Sequence, residues 1–337
     1  MVASNLQVMK MANIYDVAKR AKVSIATVSR YFNNGYVSQD SGERIKEAID
    51  ELGYSVSQVA AAMMTKSLKA IGLILPSITN QFFPELAKAV EERAHKKGYT
   101  LFVCNSEGSE AKETGFINML KSLHADGIIT ATGNCAHIYR QKKIPVVSID
   151  RDLEGDFIHV TSCNAQGGAL GAAHLYSRGC RRIAFVRPLV DYPSLVKRQA
   201  GLLQEAERLH IPVRILTAEE IEGGTGGTNR DAAEEAMLLR GMKDCDGVFA
   251  WNDVTAVQLM RLLYDHGIRV PDDIRIMGFD DIYLSRAVIP SLTTIHQQIG
   301  EMGHAAAGAL LSILAGQSMD EKEILLDVKL VERETTK

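Results

Sequence analysis

From Ala70 onward the chain repeats one theme, in which short β-rich runs alternate with longer stretches of helical period. The runs are AIGLILP (70–76), YTLFVCNS (99–106), DGIITAT (126–132), KIPVVSID (143–150), RRIAFVRP (181–188), CDGVFAWND (245–253) and IRIMGFDD (274–281). Apolar residues at helical spacing fill the gaps, as from Phe83 to Lys97 and through Met119 to Leu123. Such alternation implies parallel strands, because each crossover must carry the chain back over the sheet and so covers its faces with helices. Residues 70–337 suit two cores of this kind better than one. They predict an α/β body of two doubly wound parallel-sheet lobes.

The first sixty residues obey a different rule. Ile14, Val17, Ala18 and Ala21 form one apolar face, Thr27, Val28, Tyr31 and Phe32 a second, and Ile45, Ala48, Ile49 and Leu52 a third. Ser24 has the chemistry of an N-cap for the second helix, and Gly53 that of a stop for the third. The spacing therefore predicts three short helices around a miniature core. Between head and body runs the Ala/Met-rich segment SVSQVAAAMMTKSLK (55–69).

Within the head, DVAKRAKVSIATVSR (16–30) resembles a helix-turn-helix. Ala18 is small where a second helix would cross the first, and Val28 is apolar where the angle must close. The start of such a second helix enters the major groove. Ser24, Thr27 and Ser29 are short enough to meet phosphates closely, while Arg30 reaches a guanine edge or a phosphate. Lys22 stands at the turn position that usually carries Gly, and a left-handed Lys there costs about 1 kcal/mol.

Charge agrees with that division. Residues 1–69 hold nine Lys or Arg against six Asp or Glu, whereas the remainder holds 29 against 35. A basic head on an acidic body fits nucleic acid as the head's partner. The five cysteines are scattered and include no C-x-x-C pair, which speaks against a disulfide framework or a zinc site and for a reducing cytoplasm. No apolar run reaches the about 18 residues of a membrane span, and MVASNLQVMKMAN has no signal-peptide core. A cytoplasmic location without membrane association is expected, with residues 1–11 as a loose tail.

The run NIYDVAKRAKVSIATVSRYFNNGYVS (13–38) followed by RIKEAIDELGY (44–54) resembles the headpiece of the LacI/GalR family of bacterial transcription regulators. The body agrees in order and spacing through AIGLILPSITNQFFPEL, HADGII, PVVSIDR, RRIAFV, KRQAGL, FAWND, VPDDIRIMGFDD and PSLTTIHQQIGEMG. The resemblance spans residues 12–335 and implies a homodimeric repressor that binds a pseudo-palindromic DNA operator, associates with the nucleoid, and is controlled allosterically by a sugar or sugar derivative. Either release from DNA or promotion of binding by that ligand is compatible with these residues. It implies a headpiece at 12–56 and a hinge helix with linker at 57–69. The effector-binding and dimerisation core is then 70–337, with lobe 1 at about 70–168 and 298–325 and lobe 2 at about 169–297 and 326–337. Carried over residue by residue, it assigns DNA contact to Ser24, Ile25, Ala26, Thr27, Ser29, Arg30, Asn33, Ser57 and the wedge residue Met63. It assigns effector contact to Phe82, Phe83, Asp150, Arg151, Arg198, Asn252 and Asp280. The last five fall at strand ends or helix starts, where open α/β sheets hold their ligands.

Several departures modify those expectations. Val56-Ser57 replaces the family's Pro-Asn entry to the hinge and Ala61 replaces an Arg, so the hinge is expected to contribute less affinity than usual. Gly226 stands where many sugar-sensing members carry an aromatic floor, which leaves stacking to Phe82, Phe83 or Tyr192 or implies a ligand other than a simple pyranose. The helix IGEMGHAAAGALL lacks the basic residues used to bind a phosphorylated carrier-protein corepressor, so that partner is not expected, and its small apolar face suits a dimer interface. Asp253 and Asp281 read as caps or lobe-contact residues, and Trp251, alternating with Asn252 along its strand, as core. The chain has no nucleophile elbow, dinucleotide fingerprint or metal-ligand cluster, so neither an enzyme nor a cofactor is expected. A solute-binding protein outside the cytoplasm shares the body but not the head. A cytoplasmic binding module with a degenerate headpiece is the alternative.

Overall fold

The computed structural model describes residues 12–32, 35–54, 67–133, 135–153, 155–218, 232–319 and 321–337. The tail 1–11, Asn33, Ser57, Ala61, Met63 and Gly226, and with them the expected hinge, lie outside the described residues. The chain divides into two compact units, residues 1–68 and 69–337.

The first unit contains three helices, α1 (Ile14–Ala21), α2 (Ile25–Phe32) and α3 (Gln39–Leu52). Asn13 opens α1 with a capping box, its Oδ1 accepting from the Tyr15 and Asp16 amides while Asp16 Oδ2 accepts from the Asn13 amide. Lys22 ends α1 in the left-handed conformation, at φ 53° and ψ 45°. Ser24 Oγ accepts the Thr27 amide at 3.2 Å and pairs with Thr27 Oγ1 at 2.8 Å, fixing the start of α2. Val17, Ala18, Ala21, Val28, Ile45 and Ala48 are buried together, so each of the three apolar faces contributes to one small core.

The second unit contains two six-stranded sheets. Lobe 1 uses β1 (Ala70–Leu75), β2 (Thr100–Asn105), β3 (Gly127–Thr130), β4 (Val146–Ile149), β5 (Ile158–Ser162) and β11 (Glu323–Leu326), in the order β11-β5-β4-β3-β1-β2 and all parallel. Lobe 2 uses β6 (Ile183–Pro188), β7 (Val213–Ala218), β8 (Gly247–Ala250), β9 (Arg275–Asp280), β10 (Thr293–His296) and β12 (Lys329–Val331), in the order β12-β10-β9-β8-β6-β7, antiparallel only at β10–β12. Helices α4 (Phe82–His95), α5 (Glu110–Ser122), α6 (Ala136–Lys142) and α12 (Ile299–Leu314) serve lobe 1. Helices α7 (Asn164–Ser177), α8 (Pro193–Arg208), α9 (Ala232–Met242), α10 (Asp253–Asp265) and α11 (Tyr283–Ala287) belong to lobe 2.

Each sheet buries apolar side chains on both faces, which is why strands such as β1 and β9 read as nearly continuous apolar runs. The chain changes lobe after β5, after β10 and after β11. The boundary expected near residue 168 therefore falls inside α7, which packs along α8 of lobe 2, and Leu326 ends a lobe 1 strand rather than opening lobe 2. A second correction concerns α12. Its small residues Gly303, Ala306 and Ala307 and its Met302 and Leu310 are buried against α4 and the lobe 1 sheet, so the face expected to form a dimer contact is used within the chain. No helix among the described residues is long and apolar enough to cross a membrane.

Candidate effector cleft and DNA-reading helix

Both sheets share the order in which strand one lies between strands two and three, so each has its switch point between the first and third strands of the lobe. Loops leaving neighbouring strands diverge there and open a crevice at the carboxyl ends. Phe82 and Phe83 follow β1, Asp150 and Arg151 follow β4, Trp251 and Asn252 follow β8, and Asp280 ends β9. Together with Arg198 on α8 they line one cavity of about 320 Å³. The structure thus gathers all seven expected effector residues, drawn from both lobes, around a single space.

The floor of this cleft is polar and buried. Arg198 is 4% exposed. Its Nε donates to Asn164 Oδ1 at 2.7 Å, its Nη1 donates to the Trp251 carbonyl at 2.7 Å, and its guanidinium lies 3.6 Å from the Phe279 ring centroid. Asp280 lies 3.8 Å from Arg198 Nη1 and accepts from Gln297 Nε2 at 2.7 Å. Burial pushes the Asp280 carboxyl up to about 7, against the opposing pull of Arg198 and Gln297 and with the help of Asp150. Asp150 accepts from Thr161 Oγ1 at 2.7 Å. Both carboxylates occupy positive-φ backbone, Asp150 at 52° and Asp280 at 122°, a strained conformation that aims each side chain off its strand end.

Arg198 owes its position to a close helix crossing. On α7, a Cβ at Gly168 would lie 1.9 Å from the Arg198 carbonyl oxygen, and one at Gly201 on α8 would lie 1.9 Å from that of Ala165. Only hydrogen at both sites lets α7 bring Asn164 within reach of the guanidinium. Asn252 divides its amide, with Oδ1 accepting the Thr255 amide to cap α10 at 2.8 Å and the other end left to the cleft.

The walls are aromatic. Phe82 and Phe83 meet edge to face at 5.2 Å on the lobe 1 side. On the lobe 2 side Trp251 stacks on Tyr192 at 6.1 Å and 21° between planes; it packs half-buried against the lobe 2 core, as its alternation implied, and lines the cleft as well. Gln297 also lines the cleft, with Oε1 buried and unpartnered, and sequence reasoning missed it. Its only signal was its place beside the β10 strand end. Neither Asp253 nor Asp281 caps a helix, and of the two expected roles Asp253 takes the other, a lobe contact. Asp253 accepts from Thr294 Oγ1 and from the Ile282 amide, holding Ile282 in the lobe 1 core, while Asp281 bonds Arg333, His296 and Ser285.

In the first unit, Ser24, Ile25, Ala26, Thr27, Ser29 and Arg30 all lie at or along α2. Ile25 and Ala26 are exposed, Ile25 by 41%, although the small core has apolar neighbours to offer. Arg30 is exposed in the last turn. Asn33, Ser57 and Met63 lie outside the described residues.

Comparison with known proteins agrees with both halves. Residues 13–57 match the model for bacterial regulatory proteins of the lacI family, and residues 172–336 match a periplasmic binding protein-like domain. The chain is 37% identical over 331 residues to the ribose operon repressor of Halalkalibacterium halodurans, covering 97% of this chain and 98% of that protein. Among solved structures, the Lac repressor bound to ONPG in the repressed state superposes with a TM-score of 0.82 at 27% identity, covering 97% of this chain and all, 100%, of that one. A periplasmic binding protein/LacI transcriptional regulator from Alkaliphilus metalliredigens, complexed with D-xylulofuranose, gives 0.74 at 32% identity, covering 79% of this chain and 98% of that one.

Proposed function

Because the chain belongs to the lacI family of bacterial regulatory proteins and is a DNA-binding regulator with a small-molecule effector, we propose that it is a sugar-responsive repressor whose effector is a neutral pentose. One observation carries this reading: the cleft holds two carboxylates, Asp150 and Asp280, and two guanidiniums, Arg198 at its floor and Arg151 towards its mouth. Their formal charges cancel, which favours an uncharged ligand over a sugar phosphate. Acceptors and donors alternate around aromatic walls, the pattern that suits hydroxyls on a ring with apolar faces. The relative named for a ribose operon and the neighbour holding D-xylulofuranose support a five-carbon sugar.

In this reading Ser24, Thr27 and Ser29 meet phosphates, Ile25 and Ala26 meet thymine methyls, and Arg30 reads a base edge. Asn33, Ser57 and Met63 complete the contact with an operator of pseudo-palindromic form. Pentose binding between Arg198 on one lobe and Asp150 on the other favours one lobe orientation, and that preference is the free energy available for control of DNA binding. The protein acts by binding and turns nothing over, and it works in the cytoplasm on nucleoid DNA.

The chain acts as a homodimer. A second copy covers the apolar groove lined by Val257, Tyr264, Ile268, Val270, Val288 and Ile289, where Tyr264 is 75% and Ile289 95% exposed. Ile289→Asp is expected to shift the dimer to monomer by light scattering and to weaken operator binding.

Selection of genomic fragments by the purified protein, followed by binding to the recovered site with ribose, xylulose, sucrose and ribose 5-phosphate, tests the whole reading. A pseudo-palindrome whose affinity shifts with one neutral pentose is the expected result. A response to the phosphorylated sugar alone overturns the ligand class. No recovered site, with a sugar still bound, reduces the protein to a binding module.

A further inference from the structure

The cleft is graded in burial. Asp150, Arg198, Asn252, Asp280 and Gln297 at its floor are all buried, whereas Arg151, Tyr192 and Trp251 are half-buried and so stand towards its mouth. These three side chains form a stack. The Arg151 guanidinium lies 4.3 Å from the Tyr192 ring centroid, and Tyr192 lies on Trp251. Arg151 follows β4 of lobe 1, while both aromatics come from lobe 2, so the stack bridges the cleft.

Each layer is held from behind. Trp251 Nε1 donates to Thr255 Oγ1 at 2.9 Å, and the Trp251 carbonyl accepts from Arg198. The loop that delivers Tyr192 is tied by Arg187 at the end of β6, a residue the cleft itself does not use. Its guanidinium donates to the carbonyls of Pro188 and Val190 at 3.0 and 3.2 Å and to Gln199 Oε1 at 2.8 Å, and it pairs with Asp191. Arg151 Nη1 donates to the Asp150 carbonyl at 3.0 Å.

We infer that the Arg151–Tyr192–Trp251 stack is a size-selecting cap, which closes one side of the mouth and limits the effector to a single sugar ring. The inference rests on the reading of the cleft as a sugar site. The cavity of about 320 Å³ lies at the small end of the range of about 300–1,000 Å³ for ligand pockets. A second ring joined to one seated on the floor has to leave past the mouth, where Tyr192 stands between Arg151 and Trp251. Tyr192 is a positioning and specificity residue in this account, and Arg187 acts through it.

Trp251 is the only tryptophan of the chain, so its fluorescence reports on the cleft without a label. Titration of the full-length protein with D-ribose and with cellobiose, for wild type, Tyr192→Phe and Tyr192→Ala, tests the cap. Wild type and Tyr192→Phe are expected to take ribose and refuse cellobiose. Tyr192→Ala is expected to lose about two- to fivefold in ribose affinity, the worth of an exposed cation–π contact, and to admit cellobiose. Should the alanine variant bind ribose and still refuse cellobiose, or should wild type bind both alike, the cap is overturned. Tyr192→Leu replaces the alanine variant if that one does not fold. Acrylamide quenching of Trp251 separates this inference from the sugar reading, because it needs no ligand. Quenching should rise in Tyr192→Ala if the tyrosine covers the indole. If wild type takes neither sugar, the sugar reading falls, and unchanged quenching would then overturn the stack as a cover on its own account.

Discussion

Gly168→Ala probes the α7–α8 crossing that places Arg198. The added Cβ would lie 1.9 Å from the Arg198 carbonyl oxygen and 2.8 Å from the Leu202 nitrogen, where contacts below 3.0 Å are essentially never seen, so the helices must part by about 1 Å. Both obstructing atoms are backbone, and no rotamer change relieves them. Overpacking costs about 1–3 kcal/mol, set against a gain of about 0.5–1 kcal/mol for Ala over Gly inside a helix. A net loss of about 1–2 kcal/mol follows, lowering the melting temperature by about 2–8 °C for a unit of this size. The same 1 Å stretches the Arg198–Asn164 bond from 2.7 Å to beyond hydrogen-bonding distance. Since a hydrogen bond to a charged group is worth about 1.5–3 kcal/mol, sugar affinity should fall by about 10- to 100-fold. Thermal unfolding and calorimetric titration with ribose read the two effects separately. Gly115→Ala, at a helical site with nothing within 4 Å of the new Cβ, serves as control and should be neutral or stabilising. A melting temperature that rises in Gly168→Ala would refute the clash. A fall with unchanged affinity would refute the claim that this crossing sets Arg198.

Three further outcomes follow from the same structure. With the Asp280 carboxyl pushed up to about 7, ribose hydroxyls find it ionised only above that pH, so affinity should rise about tenfold from pH 6 to pH 8, and Asp280→Asn should flatten the profile. The sign for the unliganded protein is opposite: the folded state holds the proton more tightly than the unfolded chain, so this group costs stability as pH rises from about 4 towards 7. Arg333→Ala strips Asp281 of a half-buried partner that, with His296 and Ser285, outweighs burial and holds its carboxyl down to about 2. A loss of about 1.5–3 kcal/mol is expected in chemical unfolding, and a loss near zero would mean the charge finds water. Arg30→Ala should weaken specific operator binding by about 1–3 kcal/mol while leaving non-specific binding nearly unchanged, and equal losses on both in a gel-shift titration would reassign Arg30 to phosphate contact.

The primary structure alone determined the class of fold and seven of the residues that line the candidate cleft. Strand and helix periods are local, so alternating runs from Ala70 onward specify parallel sheets before any packing is known. Asp150, Asn252 and Asp280 were legible because a polar residue ending an apolar run marks a strand's carboxyl end, where such folds hold ligands. Ser24 as a cap, Lys22 in a left-handed turn and the miniature core of the head were legible for the same reason, their causes lying within a few residues. Other features depended on which distant segments meet. Trp251 reads as core on its own strand, and only the approach of Tyr192 from another loop makes it a cleft wall. The small face of α12 reads as an interface, and only α4 shows that it is already covered. Gly168 and Gly201 are unremarkable glycines until two helices cross at them, because a missing Cβ has meaning only where another backbone fills its place.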